Sequence, residues 1–357
     1  VSLVRSPFIL RGEEFSVGAS VGVAVSSPET QGADHLVRQA DLAMYDAKRR
    51  GGFRHRLYSQ ELEAGRSDDH SRLEGELRRA LERDELTLRY QPIVDIVSDR
   101  IVGIEALVRW MHDDLGPLPP SLFIPIAEKS SLIAEIDRWV LERGCREMTA
   151  LVGQGEVGEL FLSVNLSARH FDEPDLVDAV SGIVLATGFD PDRLQLEITE
   201  SAAGGDMEKV RQLKMLGVKV AIDDFGTGFS SLGYLRDLDV DVLKVDKSFV
   251  LALGADPASV AIVRTILTLA DMLDLEVIVE GIENPVQLAH LEDLGGRFVQ
   301  GYFFGEPAAL SDLPAVLRAG VRPRDGRPSP ASSERAPAVA AFSGRGQRRA
   351  SSSKSPF

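Results

Sequence analysis

The chain has 357 residues and a formal net charge of -15, with 44% hydrophobic and 27% charged residues. That balance describes a globular protein too long for one ordinary core, and its acidity excludes nonspecific nucleic-acid binding through phosphate neutralisation. The one cysteine, Cys145, excludes an intrachain disulfide and reads as a packed thiol on a helix in a reducing cytoplasm.

No run approaches the ~20 apolar residues that a membrane span needs. The opening "VSLVRSPFILRGEEF" lacks a signal-peptide layout, and starting in mid-pattern it reads as a cut edge. Residues 1–60 form a first unit. A strand-like alternation, Phe15 to Val25, precedes a helical pattern with Leu36, Ala40, Ala43, Met44 and Ala47 at three- and four-residue steps. A strand and a helix of this size cannot cover both their faces, so the unit is a fragment or is docked on something else. Residues 61–85 suit a connector helix, with Leu73, Leu77 and Leu81 spaced by four among charges.

From 86 to 318 the pattern alternates. About eight β-rich runs follow one another: "LTLRYQPIV", "RIVGIEALVRW", "ELFLSVNLS", "RLQLEITES", "KVAIDD", "DVLKVD", "EVIVEG" and "RFVQGYFF". Helical patterns separate most of them, which predicts a TIM-like (β/α)8 barrel of the α/β class. An open doubly wound sheet is the alternative, without the Gly-rich dinucleotide loop often found there. Residues 319–357, rich in Pro, Ser, Gly and Arg, read as a disordered tail.

In such a barrel, chemistry sits at the carboxyl ends of the strands. The runs end on Glu105 with Arg109 beyond, Asn165, Glu197 with Glu200 beyond, Asp223 and Asp224, Lys244 and Asp246, Glu280 with Glu283 beyond, and Gln300. A single acid at a strand end is usually a helix cap. Five or more converging on one rim need another reason, because buried charges are costly unless paired or metal-bound.

Nearly all these donors are oxygen, which suits magnesium or manganese and not zinc or copper. The adjacent pair Asp223-Asp224 suits two ions about 3.5–4 Å apart, one carboxylate bridging. Carboxylates, two metals and a lysine point to hydrolysis of a phosphoric ester. Gly226 and Gly228 allow the following loop backbone angles closed to other residues.

At these residues the chain resembles the EAL family of cyclic di-GMP phosphodiesterases, from about Leu86 to Pro307. The naming tripeptide stands at Glu105-Ala106-Leu107. In family order follow "YQPIV", "FIPIAE", "SVNLS", "LEITES", "AIDDFGTGFSSL", "LKVDKSFV", "VEGIEN" and "QGYFFGEP". The resemblance implies a barrel with one strand running against the rest that opens cyclic di-GMP to linear pGpG, in the cytoplasm, as part of bacterial second-messenger signalling. It also implies a metal shell of Glu105, Asn165, Glu197, Asp223, Asp224 and Glu280, and a water-positioning pair in Lys244 and Gln300. Glu200 would anchor the loop from Asp224 to Ser230 and couple metal binding to homodimer contacts. Gln91, Leu107 and Arg109 would face the ligand, Arg109 on a phosphate. A catalytically silent receptor for cyclic di-GMP that acts through a protein partner is the alternative.

Residues 1–60 resemble the carboxyl half of a GGDEF diguanylate cyclase domain, carried by "SVGVAV" and "ADLAMYDAKRRG". The signature loop of that domain would lie upstream, so no cyclase activity is expected.

Overall fold

In a computed structural model, residues 8–10, 13–15, 19–26, 32–50, 54–59, 62, 66–153, 155, 160–226, 238–254 and 256–320 are described. The expected tail lies outside them from residue 321 onward, as does most of the loop after Gly226.

The N-terminal unit starts with β1 (Phe8–Leu10) paired antiparallel to β2 (Glu13–Phe15). Next come β3 (Val21–Val23), α1 (Ala33–Arg49) and β4 (His55–Leu57), the two strands pairing in parallel. The helix crosses the strand so closely that a Cβ on Gly22 would stand 1.8 Å from the Ala40 carbonyl oxygen. Only glycine permits that approach. Tyr45 on α1 joins the core cluster of the barrel. The Lys48 ammonium donates to the Pro117 carbonyl at 2.8 Å, and Ser121 Oγ donates to the Asp41 carboxylate. The unit is therefore docked on the barrel, as one of the two expectations had it.

Residues 61–85, expected as a connector helix, contain α2 (Arg66–Glu82). Leu73, Leu77 and Ala80 are buried in the barrel core, so the four-residue leucine spacing marks a packed face.

The barrel opens with β5 (Leu86–Asp95) and β6 (Arg100–His112), then the short β7 (Gly116–Leu118). α3 (Pro120–Lys129) and α4 (Leu132–Gly153) lead to β8 (Phe161–Asn165). α5 (Ala168–Phe171) and α6 (Leu176–Thr187) precede β9 (Leu194–Thr199), and α7 (Glu200–Gly205) and α8 (Met207–Met215) precede β10 (Lys219–Phe225). β11 (Val242–Val245), α9 (Lys247–Leu251), α10 (Pro257–Met272), β12 (Glu276–Val279), α11 (Pro285–Asp293) and β13 (Phe298–Gln300) complete the ring. β14 (Ala308–Ala309) adds to the edge of β5, and α12 (Leu313–Ala319) ends the described chain.

Eight strands close in the order β5-β13-β12-β11-β10-β9-β8-β6 and back to β5. All neighbouring pairs are parallel except those of β5, which runs against both β6 and β13. The expected closed barrel with one reversed strand is therefore the architecture, and the open sheet is excluded. Cys145 is fully buried on α4, where burial pushes its thiol up to about 12. Among the described residues no helix is long and apolar enough to cross a membrane.

Candidate active site

Ladder register decides which side chains share the barrel interior, because residues directly opposite one another point to the same face. Gln91 lies opposite Glu105, Glu105 opposite Ser163, Asn165 opposite Glu197, and Glu197 opposite Ala221. Ala221 lies opposite Val242, Lys244 opposite Ile278, and Ile278 opposite Phe298. These pairings put alternate residues of every strand inside the ring. One inward layer is apolar: Ile93, Phe161, Ala221, Val242, Ile278 and Phe298 form a separate buried cluster. Two residues further toward the carboxyl rim, the inward positions are Gln91, Ser163, Asp223, Lys244, Glu280 and Gln300.

At the centre of this second layer is the Lys244 ammonium, 1% exposed. It lies 2.6 Å from Glu280 Oε1, 2.7 Å from Glu197 Oε2, 3.2 Å from Asp223 Oδ1 and 3.8 Å from Glu105 Oε1. Asn165 Nδ2 donates to Glu105 Oε1 at 2.6 Å, and Gln300 Nε2 donates to Glu105 Oε2 at 2.5 Å and to Gln91 Oε1 at 3.1 Å. Beneath them, Ser163 Oγ donates to Glu197 Oε1 at 2.5 Å and accepts from Gln195 Nε2 at 2.8 Å.

One ammonium cannot balance four carboxylates. At an effective dielectric of about 20, two unit charges 4 Å apart interact by about 4 kcal/mol, so the excess negative charge is expensive. Burial, then repulsion from Glu105, pushes the Glu197 carboxyl well above its ordinary range. Burial pushes Glu280 up to about 7, with Lys244 opposing the rise and Asp223 adding to it. Burial also works against the Lys244 charge, but Asp223, Glu105, Glu197 and Glu280 outweigh it and hold the ammonium protonated.

The opening of the Asp223-Asp224 pair follows from a bulge. Asp224 has φ 52°, and the register of β10 against β11 shifts between Ile222 and Phe225. In an unbroken strand, adjacent side chains face opposite ways. The bulge instead leaves Asp224 on the solvent side of the rim, within electrostatic range of Asp223, Asp246, Lys244 and Lys247. Partial desolvation at the rim, then repulsion from Asp223, pushes its carboxyl up to about 6. Gly226 has φ 97°, as the turn requires, whereas Gly228 lies outside the described residues.

The structure thus brings together Gln91, Glu105, Asn165, Glu197, Asp223, Lys244, Glu280 and Gln300, with Asp224 beside them. Glu200 begins α7, and most of the loop it was expected to anchor lies outside the described residues. Asp246 caps α9 through the Ser248 amide, and Glu283 precedes the Asn284–Gln287 capping box of α11. Leu107 and Arg109 continue the inward face of β6 beyond Glu105. Arg109 lines an open cleft of about 420 Å³ with Arg89, Trp110, Pro117, Tyr302 and Glu306. Sequence reasoning passed over Ser163, Gln195 and Arg89, although each stands two residues from a named inward residue in the same alternating run.

Among the described residues no three acids already converge as a cation cage; they converge on Lys244 instead. The donor set nonetheless fits hard divalent ions. It is all oxygen and carries more negative charge than its ammonium balances, and among the described residues the buried Gln300 Oε1 has no hydrogen bond and Asp223 Oδ1 has only its ion pair with Lys244.

Residues 74–307 match the EAL domain family, and residues 1–54 match the diguanylate cyclase GGDEF domain family. The chain is similar to the cyclic di-GMP phosphodiesterase NbdA of Pseudomonas aeruginosa, 38% identical over 88% of this chain and 41% of the relative. It is also similar to the bifunctional diguanylate cyclase/cyclic di-GMP phosphodiesterase MucR of the same organism, 37% identical over 89% of this chain and 47% of the relative. The chain therefore spans less than half the length of either. The solved MucR phosphodiesterase in complex with c-di-GMP superposes with TM-score 0.65 at 40% identity, over 68% of this chain and 99% of that one.

Proposed function

The chain belongs to the EAL domain family, and from that membership and the charge pattern of its barrel we propose that it hydrolyses cyclic di-GMP to linear pGpG in a reaction that depends on divalent metal ions. The observation carrying this reading is one buried ammonium shared among four carboxylates at the carboxyl ends of parallel strands. The likeness to relatives named as cyclic di-GMP phosphodiesterases supports the substrate.

Glu105, Asn165, Glu197, Asp223, Asp224 and Glu280 would hold magnesium or manganese in a two-metal site. Bound there, the ions supply charge neutralisation and Lewis-acid polarisation of the scissile phosphate. The chain's own groups do the rest. Lys244 and Gln300 orient the attacking water and offer donors to the charge that develops on phosphorus oxygens. To do so Lys244 would have to loosen some of its four contacts, and cations held by the same carboxylates would weaken their grip on it. Arg109 takes a phosphate through its planar guanidinium. Water adds at phosphorus, the bond to the 3′ oxygen breaks, and the 5′ phosphate remains on the linear product.

The test is chromatographic product analysis after incubation of the purified protein with cyclic di-GMP and manganese. Linear pGpG should accumulate, and chelator should stop it. Glu105→Ala should reduce turnover by at least about a hundredfold with little loss of folding, because it removes an oxygen donor and not packing. Tight binding of cyclic di-GMP without cleavage under any metal would support the silent-receptor alternative. Absence of both binding and cleavage would remove the assignment. A homodimer formed through the barrel, and a cytoplasmic location, belong to the same reading.

A further inference from the structure

Arg89 has no part in the chemistry proposed for the carboxylate cluster. Register places it on the inward face of β5: Gln91 lies opposite Glu105, Arg89 opposite Leu107, and Thr87 opposite Arg109. Arg89 is thus one inward step beyond Gln91, and Arg109 two beyond Glu105, all on the same face. Both guanidiniums line the cleft of about 420 Å³ with Tyr302, which is 58% exposed.

Neither arginine is neutralised. Among the described residues the Arg89 side chain has no hydrogen bond or ion pair, and the Arg109 guanidinium donates only to the carbonyl of Val108, at 2.8 Å. Glu306 shares the cleft, is exposed, and pairs with neither. Burial, and then the like charge of Arg89, lower the pKa of Arg109 against the pull of Tyr302 and Glu105. Two unpaired cations held side by side in a concave wall, in a chain of net charge -15, need an anion to neutralise them.

Resting on the cyclic di-GMP reading, we propose that Arg89, together with Arg109, binds the phosphate that is not cleaved, and so makes the site specific for a ligand with two phosphodiester groups. One inward step along a strand is ~7 Å, of the order of the width of a twelve-membered ring. A ring nucleotide whose scissile phosphate lies among the carboxylates therefore presents its second phosphate at the level of Arg89. A substrate with one phosphodiester cannot reach both places.

The experiment compares wild type, Arg89→Ala and Arg89→Lys on two substrates, cyclic di-GMP and bis(p-nitrophenyl) phosphate, a diester with one phosphate. Binding of cyclic di-GMP in chelator is measured alongside by calorimetry. A charge-assisted hydrogen bond contributes enough for about a tenfold to hundredfold loss. Arg89→Ala should show that loss in affinity and in KM for cyclic di-GMP, at least ten times larger than any loss on the single-phosphate diester. Arg89→Lys should recover part of it by restoring charge without the planar fork. Equal losses on both substrates, or no loss on either, overturn the inference while leaving the phosphodiesterase reading intact. If wild type neither binds nor cleaves cyclic di-GMP, that reading falls and this inference with it.

Discussion

Two layers of the same barrel interior, one step apart along the strands, are built from opposite chemistry. Ile93, Phe161, Ala221, Val242, Ile278 and Phe298 fill the lower layer with apolar atoms. On the same strands, the layer above carries Gln91, Ser163, Asp223, Lys244, Glu280 and Gln300. The lower layer gains stability by excluding water, at roughly 25 cal/mol per Å² of apolar surface buried. With Glu105 and Glu197 beside it, the upper layer spends some of that stability by holding four carboxylates against one ammonium. The difference shows how a barrel divides its labour: the apolar layer fixes the register, and the register holds a charge cluster that would not assemble by itself.

The sharpest way to break this contrast is Lys244→Met. The side chain keeps its bulk and loses its charge, leaving the carboxylates uncompensated. Removing one partner from a buried ionic cluster costs about 3–5 kcal/mol, so the metal-free protein should lose that much in urea unfolding. Turnover of cyclic di-GMP should also collapse, and manganese should restore more stability to this variant than to wild type. A variant as stable as wild type would mean that Lys244 is not the counter-ion.

Phe161→Ala attacks the other layer. The ring is 6% exposed and packs where a Cβ on Gly103 would stand 2.3 Å from it. A buried Phe→Ala change costs about 3 kcal/mol or more. The loss should appear in unfolding at every pH and metal concentration, with substrate KM nearly unchanged. A specific loss of metal affinity at full stability would erase the division between the layers.

Smaller, and dependent on pH, is the effect of Glu280→Gln. The folded pKa of Glu280 is pushed up to about 7, above its ordinary value of 4.5. A carboxyl whose folded pKa is raised contributes stability that is fully present below about pH 4.5 and is lost as pH rises through 7. In the absence of metal, wild type should therefore weaken relative to the variant between about pH 5 and 7.5, by up to about 3 kcal/mol. A difference that is flat across that window would place the Glu280 proton elsewhere.

Much of this architecture is legible in the sequence. All eight β-rich runs became barrel strands, because period-two alternation broken by helical spacing is local information. The rim acids were legible too, as polar residues ending apolar runs. The role of α2 was not: leucines every four residues mark an apolar face but do not say what covers it, and here Leu73 and Leu77 meet the barrel core. The same holds for the N-terminal unit, whose docking through Tyr45, Lys48 and Asp41 depends on a surface far along the chain.

By itself, the order of residues determined the strand and helix succession, the acidic rim and the family resemblance, since these depend on neighbours a few positions apart. Tertiary structure alone decided that Lys244 stands among four acids, that Asp224 turns out at a bulge, and that Arg89 shares a cleft with Arg109. The reason is register. A shift of one residue between two strands exchanges their inward and outward faces, and that alignment is set by how all eight strands pack at once.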